Sequence, residues 1–66
     1  MTEHSLSPRQ REVLALLALG VKARGIALRL GLSETTVRNH IAEILRRLGC
    51  HSQLEAVARA REWRLV

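Results

Sequence analysis

Ala27-Leu28-Arg29-Leu30-Gly31-Leu32-Ser33-Glu34-Thr35-Thr36-Val37-Arg38-Asn39-His40 is the stretch that decides the fold. It reads as the end of one short helix, a glycine turn and the capped start of a second. Ser33 supplies an oxygen for the free N–H groups of the second helix. Glu34, Thr35, Arg38 and Asn39 then share one face, while Val37 and Ile41 fall on the opposite one. Two helices joined by a short glycine turn form a helix-turn-helix, whose second helix enters the DNA major groove. The pattern points to sequence-directed DNA binding.

Downstream, Val37, Ile41, Ile44, Leu45 and Leu48 recur every three or four residues, which predicts a helix over 34–48 stopped by Gly49. Its other face carries Thr35, Arg38, Asn39, Ala42 and Arg46, and Arg46 and Arg47 complement the dipole at its end. Upstream, Ile26, Ala27 and Leu30 face inward on the second helix. Its start, Val21-Lys22-Ala23-Arg24, offers no good cap, and Gly25 costs about 1 kcal/mol relative to alanine, so this helix is expected to begin late or fray.

The first helix has a strong start in Ser7-Pro8-Arg9-Gln10, with Ser7 as cap, Pro8 in the first position and Gln10 as the reciprocal partner. Val13, Leu14 and Leu17 face the core, and Gly20 ends the run. Ser52-Gln53-Leu54-Glu55 repeats the capping-box pattern and opens a fourth helix that reaches about Glu62. Residues 1–6 are expected to be a flexible arm and residues 7–66 the folded domain.

Sixty-six residues make a single domain, and a chain of that size buries only about 60% of the surface its unfolded form exposes. Trp63 is the only aromatic residue, so the core must come from Leu, Ile, Val and Ala. Strong helix formers dominate and strand-like alternation is absent, so the expected class is all-α, a compact four-helix bundle containing the helix-turn-helix. Eleven Lys and Arg against six Asp and Glu give a net charge of +5, which favours a polyanion: nucleic acid first, an anionic membrane surface second. A lone cysteine, Cys50, excludes an internal disulfide and suits a reducing cytosol. No apolar run approaches the roughly 20 residues that span a bilayer, and the start lacks the features of a signal peptide. A cytoplasmic, non-membrane protein is expected.

Arg38 can donate two hydrogen bonds to guanine O6 and N7, and Asn39 can pair bidentately with adenine. Either can instead stand solvated on the surface. Glu34 can accept from cytosine N4 or simply complement the helix dipole. Thr35 and Thr36 lie near the helix start, where phosphate contacts are common, and Thr36 can also bond within its own turn. Lys22, Arg24, Arg46 and Arg47 are the candidate electrostatic contacts. His40, beside the buried stripe, either packs or meets a phosphate. His51 next to Cys50 lacks the second ligand pair that a zinc site requires, so neither metal nor cofactor is expected. Paired carboxylates, a nucleophile with its base and a phosphate loop are all missing, so an enzyme is not expected.

The chain resembles the LuxR-type helix-turn-helix domain of bacterial transcription regulators. Leu6-Ser7-Pro8-Arg9-Gln10-Arg11-Glu12-Val13-Leu14 is similar to that family's opening motif. Ile26-Ala27, Leu30-Gly31-Leu32-Ser33 and Thr36-Val37-Arg38-Asn39-His40 match its central one, and Leu45, Leu48-Gly49 and Glu55-Ala56-Val57 its closing segment. The resemblance implies four helices, the third docked in the major groove through Glu34, Thr35, Arg38, Asn39 and Ala42. Ser33, Thr36 and His40 join the cations as backbone contacts. It also implies a homodimer through the fourth helix, for which Ala56, Ala60 and Trp63 are the expected contacts, and an upstream regulatory domain. Lys22, Gly25, Ala42 and Gln53 depart from the family pattern. The competing reading is a protein-interaction module of the transcription machinery, similar to a sigma-factor domain, that binds RNA polymerase and has little DNA affinity of its own.

Overall fold

Among the described residues, three of the four helices begin where a serine takes up free N–H groups of the first turn. The computed structural model describes residues 6–66, with α1 over Pro8–Ala18, α2 over Ala23–Leu30, α3 over Glu34–Leu48 and α4 over Gln53–Glu62. Ser7 Oγ accepts the Gln10 N–H at 3.1 Å while Gln10 Oε1 accepts the Ser7 N–H at 3.0 Å, a complete capping box. Ser33 Oγ accepts the Thr36 N–H at 3.0 Å at the head of α3. Ser52 Oγ accepts the Glu55 N–H at 3.1 Å, but the Glu55 carboxylate takes the N–H of His51, at 2.8 Å, instead of the one on Ser52. The expected box at α4 is therefore shifted by one residue.

Lys22 precedes α2 and makes no side-chain cap bond. The helix nonetheless starts at Ala23, with the Ile26 N–H on the Lys22 carbonyl at 2.9 Å, so the expected late start is not what forms. Gly25 is part of the reason. A Cβ there would stand 3.0 Å from Val21 Cγ1, so its absence lets Val21 fold back onto the first turn.

Gly31, at φ +70°, ends α2, and the Leu32 N–H returns to the Ala27 carbonyl at 2.9 Å. That left-handed residue is what turns the chain within Gly31, Leu32 and Ser33 and sends α3 off at a new angle. The same return bond closes α1, from Val21 to Leu16, and α3, from Cys50 to Leu45. At the end of α4 it runs from Leu65 to Ala60 at 2.7 Å, and the left-handed position is held by Arg64 at φ +57°.

Val13 and Leu14 of α1, Ile26 of α2, and Val37 and Ile44 of α3 are sealed from solvent. α3 is the central element, packed on all three other helices, and α4 packs on α1 and α3. Leu30 and Leu45, expected to face inward, are half-buried at the edge of this core.

Two expectations need correction. Residues 1–5 of the expected arm lie outside the described residues, but Leu6 is only 7% exposed and joins the core, since packing removes its apolar surface from water. Ala56 and Ala60, expected as dimer contacts, are 0% exposed. Their methyl groups lie under α4 in the protein's own core, where small side chains let α4 sit close to its neighbours. They have no surface to offer a second copy.

Candidate nucleic-acid interface

With Val37, Ile41, Ile44 and Leu48 holding α3 down, the helical period turns Thr35, Arg38, Asn39, Ala42 and Arg46 outward, and all five are exposed. The expected reading face is therefore one continuous stripe along the helix. Glu34 and Glu43 flank it, each half-buried.

Both acids are engaged with the cations of the stripe. Arg38 Nη2 donates to Glu34 Oε2 at 2.5 Å, one turn apart. Arg46 donates through Nε to Glu43 Oε1 at 3.2 Å and through Nη2 to Oε2 at 2.6 Å. Arg47 adds Nε to the same Oε2 at 2.7 Å. The Arg46 and Arg47 guanidinium groups draw the Glu43 carboxyl down to about 2, and Glu43 in turn raises the pKa of Arg46. Glu43 was not among the residues picked out from the sequence, although its spacing of three and four to Arg46 and Arg47 is the signal that finds it.

At the head of α3 the Ser33 hydroxyl is used twice, accepting the Thr36 N–H and donating to Thr36 Oγ1 at 2.9 Å. That leaves the Thr36 hydroxyl proton as one of the donors this turn can offer outward. His40 is half-buried beside the core stripe. Lys22 and Arg24 are exposed at the start of α2. Lys22 and Arg38 line one shallow open depression together with Gln53, Leu54 and Arg61, so a candidate base reader and a candidate backbone cation share one concave surface. Arg46 and Arg47 lie in the last turn of α3, two turns beyond Arg38.

Trp63 is 36% exposed, and the Arg59 guanidinium lies over its ring, 5.3 Å from the centroid. Arg59 also donates to the Leu48 carbonyl at 2.9 Å and pairs with Glu55 at 3.4 Å, which fixes α4 against the end of α3. Cys50 is 8% exposed, and its thiol donates to the same carbonyl at 3.7 Å. Burial pushes that thiol up, so it stays protonated as a small core side chain. Among the described residues no group of three or more His, Cys, Asp or Glu is placed to hold a metal ion, and no helix is long and apolar enough to cross a membrane.

A family described as bacterial regulatory proteins, luxR family, matches residues 4–60. Among curated proteins, the uncharacterized transcriptional regulatory protein YvfU of Bacillus subtilis is 43% identical over 60 residues, covering 91% of this chain and 30% of its own length. The nitrate/nitrite response regulator protein NarL of Escherichia coli is 38% identical over 53 residues, covering 80% of this chain and 24% of its own. Among solved structures, the transcription factor GerE superposes with a TM-score of 0.86 at 29% identity, covering 98% of this chain and 94% of its own. The response regulator ChrA of a heme-sensing two-component system gives 0.91 at 35% identity, covering all of this chain and 33% of its own. The chain spans less than a third of the curated relatives' length and nearly all of GerE.

Proposed function

The chain belongs to the luxR family of bacterial regulatory proteins, and on that premise we propose that it binds duplex DNA in a sequence-directed way, as the DNA-binding part of a transcription regulator. The observation that carries this reading is the exposed stripe Thr35, Arg38, Asn39 and Ala42 on a helix whose opposite side is locked into the core. A rigid helix with outward donors fits the major groove, where an arginine or asparagine discriminates by about 1–3 kcal/mol per base.

In this reading Arg38 takes guanine and Asn39 takes adenine. Thr35 and Ala42 meet neighbouring base edges, with the Ala42 methyl suited to a thymine methyl. Glu34 holds Arg38 in the free protein and accepts from cytosine where the sequence provides one. Lys22, Arg24, Arg46 and Arg47 neutralise phosphates, with Thr36 and His40 donating beside them. Ser33 acts through Thr36. Two copies pair through the outward side of α4, with Trp63, 36% exposed, at its end. Such pairing sets two recognition helices about one helical turn apart on an imperfect palindrome. The protein works in the cytoplasm, and catalysis has no part in the reading.

The exposed leucines, Leu19 at 75% and Leu28 at 79%, favour a second reading as a module that binds RNA polymerase or an upstream regulatory domain. Gel shifts against mixed duplexes at low and moderate salt separate the two. DNA binding predicts a shift that weakens as salt rises, whereas protein-only binding predicts none. Selection of bound sites from a random duplex library then gives the target sequence. A library that returns no enriched site overturns sequence-directed recognition.

A further inference from the structure

The cations of α3 are countered and those of α2 are not. Glu34 pairs with Arg38, and Glu43 takes three hydrogen bonds from Arg46 and Arg47. Among the described residues, no ion pair engages Lys22, Arg24 or Arg29. The difference has a physical consequence for a polyanion. A carboxylate held by a guanidinium fork occupies the donors that a phosphate would use. α2 therefore presents its charge freely, whereas in α3 Glu43 takes the Nε–Nη2 edge of Arg46, and Arg38 and Arg47 each give one donor to an acid.

Resting on the DNA-binding reading above, we propose that Glu43 is an intramolecular stand-in for a DNA phosphate. It competes for Arg46 and Arg47 and so sets the strength and salt dependence of sequence-independent binding by α3. The geometry suits that role. Both carboxylate oxygens are occupied, Oε1 by Arg46 and Oε2 by Arg46 and Arg47 together. The cluster nevertheless stays open to solvent, with side-chain exposures of 31% for Glu43, 71% for Arg46 and 41% for Arg47. A phosphate can reach these donors from outside. The strong depression of the Glu43 carboxyl, to about 2, reflects how firmly the site favours an anion.

The test compares Glu43→Gln with Glu62→Gln, which removes the same charge from the exposed end of α4. Binding of each to a random-sequence duplex is followed by fluorescence anisotropy over a salt series, with circular dichroism confirming the fold. The expected result is tighter binding for Glu43→Gln and a salt slope steeper by about 1 unit than for Glu62→Gln, since in the wild type the carboxylate displaced by a phosphate takes up about one cation and in Glu43→Gln none is displaced. The gain must vanish when Arg46→Gln and Arg47→Gln are introduced together. Identical slopes for the two glutamine variants overturn the proposal while leaving DNA binding in place. A Glu43→Gln variant that binds more weakly also overturns it, because Glu43 would then be positioning the arginines for DNA. Wild-type protein that holds no duplex at low salt overturns both this proposal and the reading it rests on.

Discussion

The Arg61 guanidinium of α4 donates a 2.7 Å hydrogen bond to the Ala18 carbonyl at the end of α1, across 43 residues of sequence. Ala18 is the last residue of its helix, and its carbonyl is one of the four that the helix itself leaves without a partner. Arg59 does the same for the Leu48 carbonyl at the end of α3. α4 thus completes the termini of two other helices, besides burying Ala56 and Ala60 between them.

Arg61→Ala should therefore lower stability by about 1 kcal/mol, the usual net worth of such a bond, toward the low side because Arg61 is exposed. For a domain this small that corresponds to a drop of about 4–8 °C in the thermal midpoint. Arg61→Lys should recover part of the loss. A circular dichroism melt of Arg61→Ala that overlays the wild type rules this bond out as a contributor.

Arg38 and Lys22 line the same depression yet should fail in different ways. Arg38→Ala should cost about 1–3 kcal/mol on the selected site and little on random duplex, relaxing preference at one base position. Lys22→Ala should weaken both duplexes alike and flatten the salt slope by about 1 unit. Equal losses on the two duplexes for Arg38→Ala remove it as a base reader.

The serine-capped helix starts and the buried stripe were legible in the sequence because both follow from local chemistry. Ser7, Ser33 and Ser52 can cap only the turn that follows them, and Val37, Ile41, Ile44 and Leu48 line up on a 3.6-residue period whatever packs on them. What escaped depends on tertiary structure. A small-residue face on α4 has the same spacing whether it meets another helix of the same chain or a second chain. Only the packing decides, and it put Ala56 and Ala60 inside. Arg59 and Arg61 find carbonyls 11 and 43 residues away, a distance that no local pattern reports. Gly25 looked unfavourable because propensity counts its own backbone and not the Val21 side chain that occupies the space its missing Cβ leaves. At the interface, the exposure of Arg38 and Asn39 was readable from periodicity, whereas the sharing of Glu43 between two arginines needed coordinates.

Arg64 occupies the left-handed position that glycine holds at the ends of α1, α2 and α3. A side chain there crowds the backbone, and glycine relieves it. Since Arg64→Gly also loosens the unfolded chain, the net gain should be small, up to about 1 kcal/mol. Urea denaturation should show a higher midpoint with an unchanged m-value. A lower midpoint means that the arginine side chain contributes more than its backbone conformation costs.

The Glu43 carboxyl is held at about 2, below its ordinary 4.5, by hydrogen bonds from Arg46 and then Arg47. A depressed acid stabilises the fold above its unfolded pKa, and that contribution is lost as pH falls through the folded one. The Glu43 contribution should thus be intact above about pH 4.5 and disappear toward pH 2. NMR titration of the side-chain carboxyl should give a midpoint near 2, and Arg46→Ala should raise it more than Arg47→Ala. High salt should raise it as well, because the cluster is solvent-exposed. A midpoint at 4 or above in wild-type protein at low salt contradicts the three-bond cluster.

Ala60 is sealed in the core and Ala58, two residues earlier on the same helix, is exposed. The pair therefore separates packing within the chain from packing between chains. Ala60→Leu forces three extra carbons into filled space and should destabilise by about 1–3 kcal/mol, and it should do so equally at all protein concentrations. Ala58→Leu should leave the melt of the isolated domain unchanged. A surface alanine at a dimer contact behaves differently, because enlarging it alters a concentration-dependent association and leaves the monomer fold alone. If Ala60→Leu melts like the wild type in dilute solution and shifts only the association equilibrium, α4 is not seated as described, and its alanine face is again available to a second copy.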